Sequence, residues 1–129
     1  IKDNRICYGG GAAEVACSLA VAEVADKTSG VEQYTMRAFA DALLDIPMAL
    51  AENSGLQPMA TLANVRAKQQ AEKNPFIGVN CMEGGEADMR QVGVFETLIG
   101  KQAQLQLATQ LVRMVLRVDE VIASADQGF

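Results

Sequence analysis

The stretch ICYGGGAAE, residues 6–14, places three consecutive glycines between a short strand-like run and a helical pattern. Apolar residues spaced from Val15 onward predict a helix from Ala12 to about Thr28. A glycine loop at a helix N-terminus lets the backbone approach a ligand and offers it free N–H donors. The same loop is also typical of a tight structural turn, and the Lys–Ser/Thr pair of a Walker phosphate loop does not follow it. The residues alone leave both interpretations open.

Apolar spacing and turn residues predict three more helices. The second runs from about Val31 to Glu52 and is kinked or locally altered at Pro47. Its predicted apolar face consists of Ala38, Phe39, Ala42, Leu43, Ile46 and Leu50. An Asn53–Ser54–Gly55 turn ends this helix, and a third helix follows from Pro58 to about Lys73. The last helix runs from about Leu98 to Val118.

Short extended segments complete the predicted architecture. Residues 76–80 predict a strand, residues 83–86 a turn and residues 92–95 a second extended piece, which together indicate a small β-hairpin. Residues 119–124 predict a short C-terminal strand or tail. The stripe of the last helix that we expect to be buried consists of Leu105, Ala108, Leu111, Val112 and Val115. The predicted fold class is therefore mainly α, with about four helices, a small β-hairpin and a short C-terminal strand.

Composition and charge exclude several classes of protein. A formal net charge of −5 argues against a nucleic-acid partner, which needs a basic surface, and no stretch is long and apolar enough for a membrane span. The absence of His excludes His-based catalytic triads and zinc sites that pair Cys with His. Cys7, Cys17 and Cys81 have no paired spacing, which favours reduced thiols in the cytosol. Glu14, just after the glycines, is interpreted as a carboxylate that complements the helix dipole.

Residues 8–14, YGGGAAE, resemble the GGGA-x-E signature of the group II chaperonins. Four further segments follow in the order found in that family. RAFADAL at 37–43 resembles its long equatorial helix, AENSGL at 51–56 its ENxGLxP turn, GVNC at 78–81 its nucleotide-side hairpin, and VDEVI at 118–122 its terminal strand. The resemblance covers essentially the whole chain. It implies that residues 1–129 form the C-terminal half of a chaperonin equatorial domain, a partial domain that begins at the junction with the intermediate domain.

The resemblance also implies an activity and partners. Eukaryotic group II chaperonins of the cytoplasm use ATP to fold cytosolic proteins such as actin and tubulin in a hetero-oligomeric double ring, so other ring subunits are the implied partners. Residues 32–34, 46–50, 88–89 and 96–101 are most similar to epsilon-type subunits. The family's phosphate loop, catalytic aspartate and client-binding domain lie outside these residues. We therefore expect no catalytic or metal-binding residue here, no ATP turnover by this chain alone, and self-association through uncovered apolar surfaces.

The resemblance implies seven residues that bind ATP or ADP, and these residues lie in three segments. The seven are Gly9, Gly10, Gly11, Asn80, Cys81, Glu96 and Lys101. The glycines are expected to pack against the ribose through their backbone, and the hairpin residues to border the adenine. Glu96 holds the position of an acidic residue that bonds the ribose hydroxyls, although many relatives have Asp–Pro where this chain has Glu–Thr. Lys101 is expected to line the same pocket.

An alternative from another class of protein stays open. The chain could be a stand-alone helical module for interaction or scaffolding, in which the glycine loop is only a turn and no nucleotide binds. The length of the parent polypeptide separates the two hypotheses. A longer open reading frame favours the chaperonin hypothesis, whereas an intact mass near 13.7 kDa with its own initiating Met favours the stand-alone module.

Overall fold

Helices and two small antiparallel sheets make up the chain, which a computed structural model describes for residues 3–122. In chain order the elements are β1 (Ile6–Tyr8), α1 (Ala12–Lys27), α2 (Glu32–Asn53), α3 (Pro58–Glu72), β2 (Ile77–Val79), β3 (Glu86–Asp88), α4 (Met89–Val92), β4 (Phe95–Thr97) and α5 (Leu98–Val115). The mainly α class is confirmed. The described part of the chain has five helices rather than about four, because a single turn of helix, α4, precedes β4.

The hydrophobic core lies where α1, α2, α3 and β2 meet. Its buried side chains are Val15, Leu44, Ala51, Leu62, Val65, Ile77 and Val79. Full burial of an aliphatic side chain of this size stabilises the fold by about 1.5–3 kcal/mol. The buried Gln69 crosses the core, and its Nε2 donates to Ala12 O at 3.1 Å and to Ile77 O at 2.7 Å. Gln69 thereby ties α3 to the start of α1 and to β2.

Several helices begin or end at the glycine, proline and turn residues that the sequence predicts. Asn53 ends α2, and Gly55 in the following turn has φ +73°, in the left-handed region that glycine adopts without strain. Pro58 occupies the start of α3, where its missing N–H needs no helical partner. Lys73 ends α3 in the left-handed region, with φ +49°. These predicted helix boundaries are confirmed to within one or two residues.

The predicted apolar face of α2 is only partly correct. Its buried residues are Ala40, Leu43, Leu44, Pro47 and Ala51. Of the predicted face only Leu43 is among them; Ala38, Phe39, Ala42 and Ile46 are exposed and Leu50 is half-buried. The cause is that contacts with α1, α3 and β2 determine which side chains of the helix are covered. The helix is apolar over a wide arc, so spacing alone did not decide which stripe is covered.

The predicted buried stripe of α5 is wrong. No residue of this helix is buried, and Leu111, for example, is 61% exposed. Ala108, Val112 and Val115 are likewise exposed, and Leu105 is half-buried. The helix contacts β1 and β4 near its start, and within residues 3–122 no other element packs extensively along the rest of it. The amphipathic spacing is therefore present, but the surface that would cover it is not among the described residues.

The β-hairpin forms with a different partner strand from the predicted one. β2 pairs with β3 at residues 86–88, so that Ile77 faces Asp88, whereas the extended piece after α4 becomes β4 and pairs with β1. The turn between β2 and β3 is closed by Asn80 N donating to Gly85 O at 3.0 Å. Gly93, with φ +77°, then redirects the chain away from this hairpin.

The predicted C-terminal strand does not form in residues 119–122, where no partner strand lies alongside; residues 123 and 124 of that prediction lie outside the described residues. Across the described helices, none combines the length and apolar character needed to cross a membrane.

Candidate functional site

The glycine loop between β1 and α1 is a tight turn packed against α2, β2 and α4. Gly10 and Gly11 have φ of +66° and +73°, a backbone region that other L-residues adopt at a cost. A Cβ added to Gly10 would lie 2.6 Å from Met89 Sδ and 2.9 Å from Val79 O, and one added to Gly11 would lie 2.6 Å from Pro47 Cβ. Packing of the turn therefore requires both glycines, whether or not a ligand approaches them.

Backbone hydrogen bonds attach this turn to β2 and to the segment before β4. Gly10 O accepts a hydrogen bond from Val79 N at 2.8 Å, and Gly9 N donates to Val94 O at 3.1 Å. The turn thus lies between the end of β2 and the chain segment that leads into β4. Segments that are remote in sequence are brought together at this point.

A cavity of about 560 Å³ opens beside the turn. Six of the seven residues that the family resemblance assigns to nucleotide binding border it: Gly10, Gly11, Asn80, Cys81, Glu96 and Lys101. Gly9 is not in the lining; it is buried, and a Cβ added there would lie 3.4 Å from Glu96 Oε1. The other lining residues are mostly apolar and come from α1, α2, β2, the β2–β3 turn, α4 and the segment before β4. The volume lies within the range of small-molecule sites, about 300–1,000 Å³.

Asn80 organises the hairpin turn at one side of the cavity. It is buried, and its Oδ1 accepts hydrogen bonds from Met82 N at 3.0 Å and Glu83 N at 3.3 Å. Its backbone carbonyl also accepts from Gly84 N at 3.0 Å. The side-chain oxygen is therefore used within the turn, whereas the neighbouring Cys81 side chain is exposed. Asn80 shapes the wall of the cavity through the turn that it holds.

Three charged side chains meet at the opposite side of the cavity. Lys101 Nζ lies 2.6 Å from Glu14 Oε1 and 2.6 Å from Glu96 Oε2. The side chains of Glu14, Lys101 and Glu96 are 3%, 12% and 42% exposed, respectively. Burial alone would lower the pKa of Lys101, but the bonds to the two carboxylates outweigh it, and the net pKa is raised. We call Glu14, Lys101 and Glu96 the charged triad.

Sequence reasoning missed Glu14 as a member of this site. Glu14 does lie in the first turn of α1, as the helix-dipole interpretation requires. Its carboxylate is nevertheless buried and bonded to Lys101, 87 residues away along the chain. Antiparallel pairing of Cys7 with Glu96 places β4 and the start of α5 beside the glycine turn. Nothing in the local sequence pattern signals that pairing.

The charged triad accounts for the acidic side chains at the cavity. Across residues 3–122, no cluster of three or more potential ligands is placed to hold a metal ion. The cavity therefore offers apolar walls, a paired lysine and one partly exposed carboxylate, Glu96. Such a lining suits a flat, uncharged ring system with hydroxyl groups better than it suits a multiply charged anion.

The sequence model of the TCP-1/cpn60 chaperonin family matches residues 1–126 of the chain. The chain belongs to this family. Proteins of the family use ATP. Among curated relatives, the chain is 44% identical over 123 residues to T-complex protein 1 subunit epsilon of Encephalitozoon cuniculi, covering 95% of this chain and 23% of that protein. It is 44% identical over 124 residues to a thermosome subunit of Pyrococcus abyssi, covering 96% of this chain and 22% of that protein.

A solved structure shows the same fold. The open-state monomer of a group II chaperonin from Methanococcoides burtonii superposes with a TM-score of 0.84 at 37% identity, covering 88% of this chain and 28% of that one. The chain thus spans about a quarter of the length of the chaperonins that it matches. The family and the group II chaperonin fold follow from these matches, whereas a eukaryotic and an archaeal subunit are equally similar in identity.

Proposed function

We propose that the chain is the part of a group II chaperonin equatorial domain that holds the adenine and ribose of ATP. One observation carries the proposal. Residues from three separate segments, assigned to nucleotide binding by family resemblance, border a single cavity: the glycine turn, the β2–β3 hairpin, and the β4–α5 junction. This convergence is not required by the fold of a helical module that binds nothing.

The cavity fits the nucleoside better than it fits the phosphates. Its apolar walls suit an adenine ring, and the partly exposed carboxylate of Glu96 can accept hydrogen bonds from ribose hydroxyls. Lys101, the cation of the lining, is already paired with two carboxylates. When bound, ATP supplies the phosphoryl group whose hydrolysis drives the folding cycle. Residues of this chain bind and orient its nucleoside, and the phosphates and Mg²⁺ are held by other parts of the subunit.

The finer assignment that we propose is an epsilon-type subunit of the eukaryotic cytoplasmic complex. It is supported by the segments that are most similar to that type and by the 44% identity to an epsilon subunit. Its partners would then be different chaperonin subunits in a double ring whose clients include actin and tubulin. Mass spectrometry of the purified complex tests this assignment. A ring of one subunit type would contradict it and favour a thermosome-like assembly.

ATP titration of the complete subunit tests the nucleotide site. We expect Glu96→Ala to weaken ATP binding by about 2- to 10-fold, because one partly exposed hydrogen bond is lost. Glu72→Ala, which removes an exposed carboxylate at the end of α3, is the control and should leave binding unchanged. If the complete subunit binds no ATP, the proposal fails and the stand-alone interaction module is favoured.

A further inference from the structure

Lys101 is shared by two carboxylates of different character. Glu14, in the first turn of α1, is 3% exposed, whereas Glu96, in β4, is 42% exposed. Both lie 2.6 Å from the same Nζ. A buried carboxylate is costly unless it is paired, so Glu14 needs the ammonium group where it is. Glu14 therefore determines the position of Lys101.

Lys101 in turn restrains Glu96. An ammonium group has three N–H donors, and the two carboxylates engage two of them. Lys101 is only 12% exposed and is thus poorly placed to act as a separate ligand for phosphate. Without the bond from Lys101, the partly exposed Glu96 side chain would sample several rotamers, and fixing it on ligand binding would cost conformational entropy.

The restraint directs one oxygen of Glu96 into the site. Oε2 is held by Lys101, whereas Oε1 lies on the side of the glycine turn, 3.4 Å from where a Cβ on Gly9 would be. The backbone of Glu96 is fixed as well, because β4 pairs with β1 opposite Cys7. Glu96 borders the cavity, and Oε1 is the oxygen that Lys101 does not hold, so Oε1 is left to accept a hydrogen bond from a ligand.

We propose that Glu14 and Lys101 are positioning residues that orient Glu96 toward the ribose hydroxyls, so that the site selects ribonucleotides over 2′-deoxyribonucleotides. The inference rests on the proposed function, since it requires a nucleoside in this cavity. It reassigns Lys101, because its role is to hold Glu96 rather than to contact the nucleotide. It also gives Glu14 a role in specificity although its carboxylate is buried and bonded to Lys101.

The test compares dissociation constants for ADP and 2′-deoxy-ADP in the complete subunit. We expect the wild type to prefer ADP by about 2- to 10-fold, the worth of one hydrogen bond, and Glu96→Ala to lose the preference. Lys101→Met alone leaves the Glu14 charge buried and unpaired, so that variant can fail to fold. The double variant Glu14→Gln/Lys101→Met removes both charges of the buried pair and frees Glu96. It should lose the preference as Glu96→Ala does.

A control variant separates positioning from general stability. Glu23→Gln/Lys27→Met removes an exposed ion pair of the same composition on α1 and should retain the preference. A double Glu14/Lys101 variant that still prefers ADP as the wild type does overturns the inference alone. A wild type that binds both nucleotides equally also overturns it, whereas a wild type that binds neither overturns the proposed function with it.

Discussion

Replacing Gly10 with alanine tests whether the glycine turn is a packed part of the fold. Gly10 has φ +66°, and a Cβ added there would lie 2.6 Å from Met89 Sδ and 2.9 Å from Val79 O. Holding an L-residue in the left-handed region costs about 1–2 kcal/mol, and forcing a methyl group into a packed interior costs about 1–3 kcal/mol more. Met89 is buried and Val79 lies in β2, so neither atom can move away easily. We expect Gly10→Ala to lower the free energy of unfolding by about 2–5 kcal/mol.

Gly55→Ala is the matched control for this substitution. Gly55 has φ +73°, but no atom lies within 4 Å of the position of an added Cβ. Only the backbone cost applies, so we expect a loss of about 1–2 kcal/mol. Urea denaturation followed by circular dichroism measures both variants against the wild type. If the two substitutions lower the free energy of unfolding equally, the packing argument for the glycine turn is refuted.

Three further predictions concern charge and exposed apolar surface. Lys101→Met should lower the free energy of unfolding by on the order of 3 kcal/mol, because it leaves the buried carboxylate of Glu14 unpaired. Lys27→Met, which breaks an exposed ion pair, is the control and should change it by less than about 1 kcal/mol. The same urea denaturation measures both variants. Because the pKa of Lys101 is raised by folding, its contribution to stability is complete below its ordinary pKa of 10.5 and is lost as the pH rises through the folded-state value. Melting temperatures measured from pH 9 to 12 should therefore fall more steeply for the wild type than for Lys101→Met, and parallel curves would contradict this. The chain alone should self-associate through the exposed apolar side of α5. Light scattering over a concentration series should show less association for Leu111→Glu/Val115→Glu than for the wild type. A wild type that stays monomeric at high concentration would disprove this prediction.

Helix boundaries could be predicted because particular residues mark them. The Asn53–Ser54–Gly55 turn and Pro58 each restrict the backbone locally, and α2 ends and α3 begins at these residues. Buried faces could not be predicted in the same way. Phe39 and Ile46 satisfy helical spacing as well as Leu44 does, and which of them is buried depends on the elements that pack against α2.

Strand partners could not be predicted from the sequence. Each strand has only three residues, too few for an alternating pattern to identify it. The residues of the cavity were named through resemblance to a family, since no local pattern joins the glycine turn to Glu96. The buried pair of Glu14 and Lys101 had no sequence signal, because strand pairing alone brings its members together.

The structure of the complete subunit bound to ADP tests the central claim most directly. We predict that the adenosine occupies the cavity beside Gly10 and Gly11, with the hairpin turn at Asn80 bordering the adenine. A ribose hydroxyl should lie within hydrogen-bonding distance of Glu96 Oε1, while Lys101 remains bonded to Oε2. Adenosine bound elsewhere in the subunit, or a cavity filled by side chains from the rest of the protein, would contradict the claim.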